Sequence, residues 1–262
     1  MHGIDRCFLR EIPSRRVEKL PEHRDRRYRR LLRHNRLIGF EVAVQETDLL
    51  IMAEANLALL AEQVVYKVRG PLEGYIARHP EFLHALTPLP CDPLAPLVVR
   101  EMLAAARVCG TGPMAAVAGA IAEQVGLALL QQSSEVMVEN GGDCFIKVNT
   151  PVQMGIFAGE SGVSERLALH IRPELTPIGV CTSSATVGHS LSLGRADAAT
   201  VIASSAAVAD AAATLVCNQV RNRSDVNKAL SSARDIDGVC GAIIIAGDCI
   251  GAWGEVELVA LA

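Results

Sequence analysis

Asp210 and Thr214 stand four residues apart in Val208–Val216, VADAAATLV, a run otherwise built of small apolar residues. On an α-helix that spacing stacks the two side chains one turn apart on one face. A carboxylate beside a hydroxyl is a sparse all-oxygen donor set. It suits Mg²⁺, which takes one or two carboxylates and completes its octahedron with water and substrate phosphate. The surrounding alanines, Ala206, Ala207, Ala211, Ala212 and Ala213, let other backbone approach closely. The same spacing permits a purely structural role. Asp210 would then favour the helix N-terminus through its macrodipole, and Thr214 would bond back to the carbonyl four residues earlier.

Two further stretches carry polar chemistry. In VENGGDCFIKV, residues 138–148, Gly141 and Gly142 form a turn whose backbone can lie against a ligand, flanked by Asn140 and Asp143. A simple hairpin turn reads equally well from Asn-Gly. In GVCTSSATVGHS, residues 179–190, the hydroxyls of Thr182, Ser183 and Ser184 follow a short strand, and His189 comes shortly after. Hydroxyls and backbone N–H groups there could hold phosphate oxygens. His189 could serve as a general base or bind phosphate, and otherwise is a solvated loop histidine.

Other arrangements carry less. Glu46 and Asp48 could offer a carboxylate pair at a strand end, or simply mark a polar turn. Asp248 and Glu255 read as turn and strand-edge acids. Ser183 with His189 lacks the G-x-S-x-G elbow of a serine hydrolase. GTG at 110–112 follows no strand and extends to no G-x-G-x-x-G, which argues against a Rossmann site.

The elements that must position these groups are legible in outline. Ile38–Val44 and Leu49–Ala53 read as a hairpin around QETD. Residues 54–86 carry helical periodicity, broken at Gly70-Pro71 and ending near His79-Pro80. The proline-rich TPLPCDPLAP, residues 87–96, links to helices at about 97–107 and 113–131, with Pro113 at a first turn. From Glu135 onward come short strands: EVMVE, CFIKVN, VQMGIFA, RLALHI, IGVCTS and AATVIAS. A helix over about 206–218, a polar stretch with a short helix or loop, and strands GAIIIAG and WGEVELVAL close the chain. Helices and strands are partly segregated, which predicts α+β with mixed or antiparallel sheet layers packed by helices. The expected division is a basic arm over 1–37 and one α+β domain over 38–262.

The 262 residues are half apolar, enough for a sizeable core, with few aromatics and much alanine. A net charge of −4 implies no general affinity for polyanions and no specific nucleic-acid partner. The Arg- and His-crowded segment Arg10–Arg36 could bind phosphates, RNA or an acidic partner, or form a solvated arm. None of the eight cysteines forms a CxxC pair, which argues against zinc and for free thiols in a reducing cytosol. No signal-peptide core and no run of ~20 uninterrupted apolar residues stands out, so a cytoplasmic protein without a membrane span is expected. Gly112–Leu130 comes nearest, interrupted by Glu123 and Gln124. Alanine-rich surfaces could also form a homodimer interface.

GGD at 141–143, TSS at 182–184 and ADAAAT at 209–214 stand in the order of the conserved turns and helix of the ApbE-like family, and GPMAAVAGAIAE, 112–123, is similar to its glycine- and alanine-rich helix start. The chain resembles that family, the FAD-binding, Mg²⁺-dependent flavin transferases, over about residues 100–220. With ETDLLI, YIARHPEFLHAL and GHSLSLGRADAATVIA added, it looks most like a short, poorly characterised bacterial and archaeal branch.

The resemblance implies an ApbE-like fold, with Asp210 and Thr214 as side-chain ligands to Mg²⁺ and Ala115 offering its backbone carbonyl. It implies that Asn140, Gly141, Gly142, Asp143, Thr182, Ser183 and Ser184 line the site of FAD or FMN. Transfer of FMN to an acceptor protein, or cleavage of the FAD pyrophosphate, is the implied activity. The chain departs from the pattern in places. Ala116 replaces a family lysine, Ser184 replaces a glycine, and GHSLSLGRAD replaces a His-x-x-Asp-Pro-x-x-Gly stretch to which His189 falls near. Those departures leave open a non-catalytic flavin or nucleotide binder, and an enzyme of another cofactor pathway on the same fold.

Overall fold

The computed structural model describes residues 36–159, 161, 164, 166–185 and 194–261. Most of the basic N-terminal segment lies outside them. Its last residue, Arg36, donates to both carboxylate oxygens of buried Glu135 at 3.0 Å.

β1 (Ile38–Val44) and β2 (Thr47–Ala53) form the expected hairpin, paired in register from Ile38–Ala53 to Val44–Thr47. α1 follows as Ala58–Arg78 and passes through Gly70-Pro71 without a break. The expected interruption does not occur, for a tertiary reason. Ala61, Val65, Val68, Leu72 and Tyr75 make one buried stripe on both sides of the proline. Its packing outweighs the roughly 3 kcal/mol that an interior proline costs.

A short α2 (Glu81–His84) and the proline-rich linker lead to α3 (Leu97–Cys109), ended by Gly110 in the left-handed conformation. A 3₁₀ turn, Pro113–Ala116, runs directly into α4 (Val117–Leu129). Together α3 and the 113–129 segment are apolar, but they meet at 105°. Among the described residues no single helix is long and apolar enough to cross a membrane.

The remaining elements are β3 (Val136–Asn140), β4 (Asp143–Lys147), β5 (Val152–Gly155), β6 (Leu167–Ile171), β7 (Ile178–Ser183) and β8 (Ala198–Ala203). α5 (Ala206–Gln219) comes next, then a 3₁₀ turn at Arg223–Asp225 and α6 (Val226–Arg234). β9 (Val239–Ala246), β10 (Cys249–Gly254) and β11 (Leu258–Ala260) close the chain.

Among the described residues, eight strands form one sheet in the order β1-β2-β3-β4-β7-β8-β9-β10, and three form a second in the order β11-β6-β5. Every pairing among them is antiparallel. The fold is therefore α+β, in three layers. Helices cover one face of the large sheet, and the small sheet covers the other.

The strand patterns show why. Along β9, Ile244 faces the helices while Ile243 and Ile245 join the core beneath the small sheet. Along β3, Val138 and Met137 divide in the same way, so these central strands are buried on both faces. The closing stretch WGEVELVAL is not one strand. At Gly254 (φ 84°) a Cβ would stand 2.1 Å from the Cys240 carbonyl oxygen. The chain turns there and crosses to the small sheet.

Candidate functional site

α5 lies against β7 and β8, with α4 and α3 across it. Its alanines allow very close packing. Where Ala206 opens the helix, a Cβ on Gly119 of α4 would meet the Ala206 carbonyl oxygen at 2.2 Å. A Cβ on Gly179 of β7 would meet Ala206 Cα at 2.3 Å. Two glycines thus clamp the start of the helix that carries Asp210 and Thr214.

The N-terminus of α5 is closed from outside. Ser205 at the cap position makes no side-chain cap bond of its own. Instead Glu123 Oε2 accepts from Ser205 Oγ at 2.8 Å, Ala206 N–H at 2.8 Å and Ala207 N–H at 3.3 Å. A carboxylate there meets both orphan donors and the positive end of the helix dipole.

Asp210 does the same for α4. Its Oδ2 accepts from the Gly119 N–H at 2.9 Å, and the Ala118 N–H also donates to the carboxylate. The sequence allowed Asp210 a role at the start of its own helix. The structure puts it at the start of the neighbouring one.

The Gly-Gly turn meets the same point. Asn140 and Asp143 pair as the ends of the β3–β4 hairpin, with Gly141 at φ 70° and Gly142 at φ 109°. Positive φ at both central residues is a type I′ turn, which glycine adopts freely. Glu139 Oε1 accepts from the Gly142 N–H at 2.9 Å, and Asn140 Nδ2 donates to the Ala118 carbonyl at 3.1 Å. Ala118 therefore points its N–H toward Asp210 and its carbonyl toward Asn140.

Asp143 lies close enough to Asp210 for mutual repulsion. Burial raises its carboxyl well above the usual range, and the charges of Asp210 and Glu139 raise it further. The Cys181 thiol and the Thr182 N–H donate to it and pull the other way. Burial pushes Asp210 up to about 7 against the lowering effect of Gly119 and Ala118. Cys109 and Cys181 are raised by burial and by these acids, so both remain neutral thiols.

Thr182 faces Thr200 across β7 and β8, and their hydroxyls are 2.9 Å apart. Ser183 and Ser184 follow at the strand end, half-buried. Thr214 lies one turn beyond Asp210 on α5, half-buried. Ala115 lies in the 3₁₀ turn that feeds α4, and the buried Thr111 hydroxyl just before that turn has no partner among the described residues. His189 lies outside the described residues. Glu46 is drawn away to a 2.6 Å ion pair with Arg69 and serves the β1–β2 turn.

Asp210, Asp143, Asn140 and Thr182 are thus gathered around the first turn of α4. Gly119, Ala118, Glu123, Glu139 and Cys181 complete the cluster, and sequence reasoning missed them. A detectable signal existed for Glu123, an acid in an otherwise apolar helix. Among the described residues no three of His, Cys, Asp and Glu are arranged to cage a metal. The donor set is nonetheless hard oxygen, the kind that small divalent cations take when water completes the shell.

The layered antiparallel architecture is that of the ApbE flavin transferases. The flavinyl transferase ApbE of Pseudomonas stutzeri, in its apo form, superposes with a TM-score of 0.55 at 14% identity, over 83% of this chain and 94% of that one. The flavin transferase ApbE of Vibrio cholerae gives 0.55 at 11% identity, over 83% and 96%. At such identities the likeness is one of fold.

The chain belongs to the bacterial ApbE-like family: the family model described as AbpE bacteria matches residues 29–250. Similar proteins occur in archaea. The UPF0280 protein MJ1526 of Methanocaldococcus jannaschii is 39% identical over 225 residues, covering 83% of this chain and 91% of the relative. A UPF0280 protein of Methanosphaerula palustris is 42% identical over 215 residues, covering 81% and 89%.

Proposed function

We propose that the protein binds a flavin nucleotide, FAD or FMN, together with Mg²⁺, at the junction of α4, α5 and the Gly-Gly turn. The observation that carries this reading is the pair Asp210 and Asp143. Both are desolvated, and the Asp210 charge raises Asp143 further. A divalent cation beside Asp210 would offset that cost. Asp210, the Thr214 hydroxyl and the Ala115 carbonyl would hold it. Mg²⁺ bound there would neutralise pyrophosphate oxygens and ease departure of a phosphate leaving group.

The chain's own groups would do the rest. The type I′ turn brings backbone of Gly141 and Gly142 to the ligand without side-chain bulk. Ser183 and Ser184 offer donors to phosphate oxygens at the end of β7. Glu123 and Gly119 fix where Asp210 stands. The sharpest form of the reading is transfer of FMN to an acceptor protein or hydrolysis of FAD, in the cytoplasm.

A second reading has its own support. Ala116 stands where the family carries lysine, and GHSLSLGRAD lacks the family's His-x-x-Asp-Pro-x-x-Gly stretch. Both departures favour binding without turnover. Purified protein incubated with FAD and MgCl₂ separates the two. FMN and AMP appearing with time select the transferase or hydrolase, and a bound flavin spectrum without products selects the binder. Absence of any flavin binding, with and without Mg²⁺, would sink both and favour another phosphate-bearing cofactor.

A further inference from the structure

The proline-rich linker before α3 is fixed in place yet turns leucine outward. A Cβ on Gly112, just past α3, would stand 1.7 Å from the Ala85 carbonyl oxygen and 3.1 Å from Leu86 Cα. The linker thus starts beside the C-terminal end of α3 and re-enters at its N-terminus, about 20 Å away at 1.5 Å per residue. Pro88, Pro90, Pro93 and Pro96 restrict its backbone. Leu89 and Ala95 pack against the core. Asp92 pins the rest: Oδ2 accepts from the Tyr75 hydroxyl at 3.1 Å, and Oδ1 accepts from the Leu94 N–H at 3.0 Å. Leu86 and Leu94 are left 66% and 96% exposed.

The outer face of α3 continues this surface. Leu97, Arg100, Ala104, Arg107 and Val108 are its exposed positions. At 3.6 residues per turn they fall within one arc of about 100°. Leu86 and Val108 stand near one end of the helix, Leu94 and Leu97 near the other.

The face is cationic. Neither Arg100 nor Arg107 forms an ion pair among the described residues. From Ala85 to Gly112 the acids are Asp92 and Glu101. Asp92 is held by Tyr75 and Leu94. Glu101 lies at the margin of the arc, half-buried, and both its oxygens accept from Gln124 Nε2. The chain as a whole carries −4, so this face has the opposite sign.

Leucines scattered singly over a surface are ordinary. These are concentrated on one fixed ridge, bordered by unpaired arginines. The same stretch, Ala85 to Gly112, has no Phe, Trp or Tyr, whereas protein contacts centre on Trp, Tyr and Arg seated in pockets. Protruding aliphatic side chains edged by arginine suit a fluid apolar partner with an anionic boundary.

We propose that this face docks on an anionic phospholipid surface, lying on it rather than spanning it. Leu86, Leu94, Leu97 and Val108 enter the headgroup and upper acyl region, and Arg100 and Arg107 meet the phosphates. The contact is independent of any flavin at Asp210.

Vesicle flotation of the full chain in low-salt buffer tests it. One set of vesicles holds equal parts phosphatidylcholine and phosphatidylglycerol, and the other is pure phosphatidylcholine. Saturable binding to the mixed vesicles is expected, with little to the pure ones. Leu94→Ser should weaken it about tenfold, the scale of burying one leucine. Arg100→Gln and Arg107→Gln should each weaken it about fivefold. All three positions are exposed, so thermal midpoints should match wild type. Asp210→Asn should bind vesicles as wild type does. Attachment through the Arg-rich N-terminal segment alone would ignore the leucines, so mixed-vesicle binding unchanged in the double Leu94→Ser/Leu97→Ser variant would overturn the proposal. So would failure to bind either vesicle. A dimer in sedimentation velocity that Leu94→Ser dissociates, without vesicle binding, would give the face to a second copy instead.

Discussion

Glu123 and Asp210 cap each other's helices. Glu123, on α4, accepts the first N–H groups of α5 at 2.8 Å and 3.3 Å, and Asp210, on α5, accepts the Gly119 N–H of α4 at 2.9 Å. Each acid is thus held by the element the other one stabilises. The candidate metal ligand cannot shift without loosening the start of α4, and α4 cannot shift without uncovering α5.

Removing one side of this exchange should be felt at the other. Glu123→Ala leaves the Ala206 and Ala207 N–H groups without an acceptor in a buried crossing. Helix-cap losses cost about 0.5–2 kcal/mol, and burial puts this one at the upper end. Glu123→Gln keeps an acceptor oxygen and should cost less than half as much. Urea denaturation of the three proteins measures the order. A Glu123→Ala midpoint equal to wild type would show that water replaces the carboxylate freely.

Asp210→Asn separates cap from charge. The amide oxygen can still accept from Gly119, while the repulsion with Asp143 disappears. Stability at pH 8 should therefore hold or rise, on the order of 1 kcal/mol, since each unit of pKa displacement is worth about 1.4 kcal/mol. Mg²⁺-dependent flavin binding should be lost in the same variant. Asp210→Ala should lose both the ion and the cap. Calorimetry with FAD, with and without Mg²⁺, reads the first property, and urea midpoints read the second.

Gly119→Ala sets two opposing effects against each other. Alanine gains roughly 1 kcal/mol over glycine inside a helix. Its Cβ, however, would stand 2.2 Å from the Ala206 carbonyl oxygen and 2.9 Å from Asp210 Cβ. Backbone cannot yield as a flexible side chain can, and overpacking of this kind costs about 1–3 kcal/mol. The clash should win, giving a net loss of stability and weaker Mg²⁺ binding through displacement of Asp210. A stabilised Gly119→Ala protein would mean that the helices cross less closely than described.

The sequence made the local pieces legible and left the long-range ones hidden. The β1–β2 hairpin, the Gly-Gly turn and the α5 helix follow from alternation, turn residues and helical spacing, all read within a dozen residues. The continuity of α1 through Pro71 does not, because the buried stripe that supports it finds its partners far along the chain. The crossing from β10 to β11 at Gly254 was hidden likewise, since the carbonyl that demands glycine belongs to Cys240. The site divides in the same way. Asp210 with Thr214 could be read from spacing. The approach of Asp143 to Asp210 rested on family resemblance, because 67 residues separate them. The mutual caps left one trace, acids placed inside apolar helices, and that trace named no partner.

The buried acids also fix how stability should respond to pH. Glu101, bonded by Gln124 Nε2 at 2.7 and 2.9 Å, is pushed up to about 7 by burial, as Asp210 is. Unfolded, both titrate near pH 4. Between about pH 4 and about pH 7 the folded chain therefore holds protons that the unfolded chain has released. Their contribution is complete below pH 4 and is lost as pH rises through 7, so the midpoint of thermal unfolding should fall across that window. Glu101→Gln and Asp210→Asn should each flatten the fall. They should differ with Mg²⁺. At pH 8, where Asp210 is mostly ionised, Mg²⁺ should raise the midpoint of wild type and of Glu101→Gln. At pH 5, where the proton occupies the carboxylate, it should do little. Stabilisation by Mg²⁺ that persists in Asp210→Asn would place the ion elsewhere.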